Sequence, residues 1–170
     1  LAENAAGTQI LSQTSTGTPC AAAGTYIILI SADMATAGSF RMYINDLKPS
    51  IASTTFTDDT IDFTVAEYSI GATSAGASFF AGDIYTVYFN TATNLDLDDV
   101  SIRRKFYDIN LVPVYLGYSG ELPTGTSPTL FLGYDSGASW PVNRGTANGT
   151  FVQNGTIAVA STQLNGQYDF

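Results

Sequence analysis

The chain has 170 residues, 45% hydrophobic and 12% aromatic, which suffices for a real core and excludes a disordered tail; only 12% are charged, against roughly a quarter in ordinary soluble domains. Six Lys and Arg face fifteen Asp and Glu, for a net charge of −9, which excludes a phosphate backbone as the natural partner because counterion release needs cations. Histidine is absent and Cys20 is the single cysteine, so Ser-His-Asp and Cys-His catalysis, histidine-ligated zinc and thiolate clusters are excluded within the chain.

Residues 1–19 are small and polar, with Ile10 and Leu11 the only bulky residues after Leu1. They read as a flexible arm with one short strand, Thr8 to Gln13, able to add to a neighbour's sheet edge; Thr8, Ile10 and Leu11 are its candidate assembly residues. Residues 20–170 read as a single β-sandwich domain. Cys20 is expected to be a small buried hydrophobe, with pairing to another chain as the alternative.

Gly24 to Ser31 is the strongest segment. Tyr26 to Ile30 is an apolar, β-branched run between Gly24 and Ser31, which predicts a strand buried on both faces. Phe40, Met42 and Ile44 alternate with Arg41 and Tyr43, as in a half-buried strand, closed by turn chemistry at Asn45-Asp46 and Lys48-Pro49. Alternation predicts further strands at Thr60 to Glu67, Ile84 to Phe89, Val100 to Tyr107 and Thr129 to Tyr134. Pro113 demotes a candidate at Leu111 to Tyr118 to an edge or bulge. Asn154-Gly155, between Phe151-Val152-Gln153 and Thr156 to Val159, predicts a type I′ hairpin. No amphipathic helix of any length is visible. The expected fold is all-β, an antiparallel, jelly-roll-like sandwich of about 8–10 strands.

Ala23-Gly24-Thr25-Tyr26, the strand after it, Phe40 to Asn45, and Ala81-Gly82-Asp83-Ile84 opening a later strand resemble, in their strand and turn order, jelly-roll sandwiches of the C1q/TNF-like and carbohydrate-binding-module kinds. The resemblance spans residues 20 to 107. It implies a non-catalytic extracellular module, often oligomeric or ligand-binding.

Charged clusters carry the remaining candidates. Arg103-Arg104-Lys105 are expected to pair internally with the nearby Asp96, Asp98 and Asp99. Those aspartates, or Asp58, Asp59 and Asp62, are the candidates for a structural Ca²⁺; neither set matches an EF-hand loop, and solvated turn acids are the plainer reading. No other cofactor is implied. Asp135-Ser136-Gly137 resembles the catalytic string of retroviral-type aspartic proteases but is expected to be an ordinary turn. A glycosidase would need two facing carboxylates, and Glu3, Glu67 and Glu121 give no such pattern. Asn148 and Asn154 open two glycosylation sequons.

These readings converge on a non-enzymatic structural subunit that assembles with copies of itself into an extracellular filament, surface layer or virion shell. No nucleic acid and no membrane insertion are expected, since no apolar run approaches the roughly 20 residues of a membrane helix. The start at Leu1 rather than Met is read as a processed N-terminus, as in a secreted protein. The alternative is a carbohydrate-binding or adhesive module presenting Tyr43, Tyr85, Tyr115 or Trp140.

Overall fold

A computed structural model describes residues 2–20, 22–36, 39–64, 69–72, 80–133, 141–147 and 151–152. Among them are seven strands and one single-turn helix: β1 (Ala2–Glu3), β2 (Gln9–Ser15), β3 (Ile28–Ser31), β4 (Arg41–Ile44), β5 (Ile51–Phe56), β6 (Val87–Phe89), α1 (Val100–Arg103) and β7 (Leu130–Leu132). All ladders are antiparallel, in sheets ordered β1-β2-β5, β3-β4 and β6-β7, so the chain is all-β as expected. It divides into two compact units, Leu1–Ala66 with Asn94–Pro113, and Glu67–Thr93 with Val114–Phe170.

In the first unit, the residues read as a loose arm form β1 and β2. Asn4 makes the bend between them by accepting from the Ala6 and Thr8 amides at 3.1 and 2.9 Å. β2 is the middle strand, pairing with β5 from Leu11↔Phe56 to Ser15↔Ile51, with an irregularity between Thr14 and Ser15. Ile10 and Leu11 lie on opposite faces and are both buried.

β3 and β4 pair in unbroken register, Ile28↔Ile44 to Ser31↔Arg41. The strand forms where the apolar run predicts it, but burial on both faces is overturned: Ile28 and Ile30 are 53% and 57% exposed. Ile28 and Ile30 share one face of the sheet, which is left exposed; separately, among the described residues β3 pairs only with β4. On β4 the simple alternation also fails. Tyr43 is buried as well as Ile44, because its ring lies 4.2 Å below the Arg103 guanidinium and its hydroxyl donates to Asp98 at 2.7 Å.

Beyond β4 the chain reverses at Asn45-Asp46, both at positive φ (47° and 67°), and Ile44 and Leu47 exchange two backbone bonds at 2.9 and 3.0 Å. This is the two-residue hairpin geometry that Asn and Asp tolerate. Asn45 also closes the open end of the β3-β4 ladder. Its Oδ1 accepts from the Ile27 amide at 2.8 Å and its Nδ2 donates to the Thr25 carbonyl at 3.2 Å.

Three further strand readings are corrected. Of the strand expected from Thr60 to Glu67, residues 60–64 are not strand, Asp62 turning the chain locally by accepting from the Thr64 amide and hydroxyl at 2.8 and 2.6 Å, and the rest lies outside the described residues. Val100 to Tyr107 begins as α1, because Asp99 caps it by accepting from the Ser101 amide at 2.8 Å. Residues 111–118 hold only an isolated bridge, Tyr107↔Pro113. Of the Ile84 to Phe89 segment, only β6 is strand.

The second unit is built on β6-β7, where Phe131 and Leu132 are fully buried and Tyr88 meets Phe131 edge-on at 6.4 Å. Gly120 (φ 75°) lies against that ring; a Cβ there would sit 2.9 Å from it. Asn143 and its neighbours run along β7: its Oδ1 accepts from the Phe131 amide at 2.9 Å, and the Arg144 amide donates to the Phe131 carbonyl at 3.0 Å. The predicted Asn154-Gly155 hairpin lies outside the described residues.

The turn at Asn45 makes a direct prediction. Asn45→Ala combines a positive-φ penalty with the loss of two hydrogen bonds and is expected to cost about 2 kcal/mol. Asn45→Gly restores the backbone freedom but not the bonds, at about half that cost. Urea unfolding midpoints at constant m-value measure both, and equal losses would contradict the turn's role.

Candidate functional site

The densest polar cluster forms at the tip of the β4 turn. The Asp46 carboxylate accepts from Arg103 Nε and Arg104 Nη2, each at 2.6 Å, and from the Tyr107 hydroxyl at 2.9 Å. The Arg104 hydrogen bond is the main reason that the Asp46 carboxyl lies well below the usual carboxylate range, with Arg103 and Tyr107 reinforcing it against desolvation. Arg103 is buried at 8% exposure. It is also tied to the Leu97 and Asp98 carbonyls at 2.5 and 3.3 Å, and α1 presents it to the turn. Burial together with the Asp46 bond raises the Tyr107 phenol.

A second carboxylate sits beside the first cluster. Asp98 accepts from Lys48 Nζ at 2.8 Å and from the Tyr43 hydroxyl at 2.7 Å, and it pairs with Arg41 Nε. The Lys48 and Tyr43 bonds pull its pKa down to about 2, and the same bond raises the Tyr43 phenol. Both acids are ionised and both phenols protonated near neutrality, so this cluster clasps the β3-β4 hairpin to the 94–107 segment. None of its four groups is poised to exchange a proton at neutral pH.

The basic run pairs internally as expected, but Arg103 and Arg104 form their ion pairs with Asp46, 57 and 58 positions earlier. Of the nearby acids, Asp99 is lowered chiefly by its bonds from Ser101, with Arg103 and Lys105 adding to it. The calcium candidates do not converge on a cation: Asp96 accepts from the Asp98 amide at 3.1 Å, Asp99 caps α1, and Asp98 is held by cations. Asp59 has its carboxyl lowered chiefly by the bond from Asn4, 55 positions earlier, and Asp62 by its bonds from Thr64. They line a groove of about 520 Å³ bounded by residues 4–6 and 59–64. Among the described residues, no three Cys, Asp or Glu side chains group as metal ligands.

Of the assembly residues, Ile10 and Leu11 are buried within the chain's own unit, while Thr8 is exposed in the β1-β2 bend. Cys20 is exposed, not buried, because residues 16–20 and 22–25 form a surface connection without strand structure. Of the aromatic candidates, Tyr43 is buried, Tyr85 half-buried and Tyr115 37% exposed. Glu121 braces its own turn by accepting from the Ser119 amide at 2.9 Å. Asn148, Asn154, Trp140 and the Asp135-Ser136-Gly137 string lie outside the described residues. No described helix is long and apolar enough to cross a membrane. Sequence reasoning missed Asp46 as the hub; its signal was the turn that isolates an acid between two strands.

No family model, no curated protein and no solved structure matches this chain.

Two outcomes test the clasp. The Asp98 pKa is depressed on folding, so its contribution is present above about pH 4, the unfolded value, and is lost as the pH falls toward about 2. Thermal midpoints measured over that window should drop more steeply for the wild type than for Asp98→Asn. Asp46→Ala strands the buried Arg103 charge and is expected to cost about 3 kcal/mol, whereas adding Arg103→Met recovers much of the loss. Additive effects of the two substitutions would refute the pairing.

Proposed function

We propose that the chain is a non-enzymatic structural subunit that assembles with copies of itself through its sheet edges, in an extracellular filament, surface layer or virion shell. The observation that carries this reading is the apolar surface left uncovered around short sheets. Ile28 and Ile30 on β3, Leu47 (74% exposed) and Ile109 (76%) are open in the first unit, as are Tyr118 (65%) and Leu122 (59%) in the second. Exposed apolar surface on this scale favours association. Among the described residues two of the three sheets have two strands, too few to be stable alone in water, and each gains from a further strand. The fullest polar cluster is taken up in holding the fold, which supports a structural role.

Within this reading the strands belong to a jelly-roll-like sandwich. Strand addition by the N-terminal segment takes the form of exchange, because β2 already has β1 and β5 on its two edges. A net charge of −9 argues against a nucleic-acid-packaging shell.

Sedimentation across a wide concentration range, with negative-stain microscopy of the concentrated sample, tests the proposal. Defined oligomers or polymers are expected. A strictly monomeric species at the highest concentrations would overturn it.

A further inference from the structure

We infer that the outer edge of β3 is a self-pairing edge: β3 of one copy adds antiparallel to β3 of a second copy about a two-fold axis at Leu29, giving a four-stranded sheet β4-β3-β3-β4. The inference rests on the assembly reading above and names the surface that carries it.

The ladder shows which way the free groups point. The Asn45 amide donates to the Ile27 carbonyl at 3.0 Å, which makes 27/45 a hydrogen-bonded pair. In an antiparallel ladder the pairs alternate, so 29/43 and 31/41 are bonded and 28/44 and 30/42 are not. Ile44 agrees, since its backbone bonds run away from β3 to Leu47. The N–H and C=O groups of Ile28 and Ile30 therefore aim outward from the β3 edge. Among the described residues no hydrogen bond satisfies them.

Several other edges are covered or blunted. Asn143 to Ala147 run along β7, Leu47 follows β4 at Ile44, and β2 lies between two strands. β5 carries small polar side chains and an irregular register near Ile51. β3 is short but has no bulge, proline or charged side chain to protect it. Its ladder has no register shift, no Pro lies between Pro19 and Pro49, and no charged side chain occurs from residue 4 to residue 32. Its exposed side chains are Ile28 and Ile30, while Ser31 faces the opposite side, accepting from the Leu95 amide at 3.2 Å.

The charge pattern favours a second copy as the occupant. A chain of −9 repels its own kind except where an uncharged stretch meets another. In the two-fold register Ile28 of each copy faces Ile30 of the other, as two bonded pairs exchanging four backbone hydrogen bonds. The nearest charge along the strand, Asp33, falls opposite Thr25, and Arg41, which pairs Ser31 from the β4 side, is held by Asp98, so no like charges are placed directly opposite one another.

The test uses the full-length chain. In Leu29→Cys with Cys20→Ser, the two introduced thiols meet in a non-bonded pair with Cα atoms about 4.5 Å apart, within disulfide reach, so mild oxidation is expected to give a crosslinked dimer. Ser53→Cys on β5 in the same background is expected to give none. Ile30→Pro deletes one outward donor but no β3-β4 bond, and is expected to weaken association about tenfold with an unchanged circular dichroism spectrum. Should that variant unfold, Ile28→Lys with Ile30→Lys reads the same edge through charge repulsion. Wild-type-like assembly of folded edge variants, or no crosslink at Leu29→Cys, overturns the β3 edge and leaves assembly through another surface standing. Binding of an unrelated extended apolar peptide without dimer formation also overturns it. A wild type that is monomeric throughout removes both proposals.

Discussion

Three donors converge on one carboxylate. Asp46, at the tip of a two-residue turn, accepts from Arg103, Arg104 and Tyr107, and this contact ties the β3-β4 hairpin to a segment that begins almost fifty residues later. A two-stranded ribbon with one open face has little hydrophobic stability of its own. Its position depends on the carboxylate, on the Asp98 cluster beside it and on the Tyr43 ring under Arg103. The buried guanidinium is acceptable only because its donors are met by the Asp46 carboxylate and by the Leu97 and Asp98 carbonyls.

What was legible in the sequence was whatever is decided locally. The apolar run ending at Ser31, the Asn45-Asp46 turn and the strand at Leu130–Leu132 follow from composition and turn chemistry, which act over a few residues. The all-β class follows from many such segments together. The failures share one cause: each depends on a contact far along the chain. Val100 to Arg103 alternates well enough to read as a strand, but the Asp99 cap and the pull of Asp46 on Arg103 and Arg104 favour a helical turn. Ile28 and Ile30 look like core residues because hydrophobicity does not reveal whether another layer packs on the face they share.

The same limit explains the site. The basic run at residues 103–105 was visible and so was the need to pair it, and proximity in sequence suggested Asp96, Asp98 and Asp99. A salt bridge is chosen by position in space. Asp96 and Asp99 are oriented by amides within their own turns, whereas a turn at positive φ projects Asp46 outward from the hairpin. An acid at the apex of a tight turn is a better candidate for a distant cation than an acid inside a local cap, whose lone pairs are already engaged.

These internal pairings also shape the outside of the molecule. Of six basic residues, Arg41 and Lys48 are drawn to Asp98, Arg103 and Arg104 to Asp46, and Arg144 lies over the Tyr118 ring at 4.3 Å. Nearly all the positive charge is thus held in contacts within the chain, while Asp58, Asp59, Asp96, Asp99 and others face solvent. The net charge of −9 disfavours close approach of a second copy. Residues 4 to 32, free of charge, are where that repulsion is weakest, and β3 lies at the end of that stretch with its outer hydrogen-bonding groups unmet. The clasp that fixes the hairpin and the edge that the hairpin exposes are two consequences of one distribution of charge.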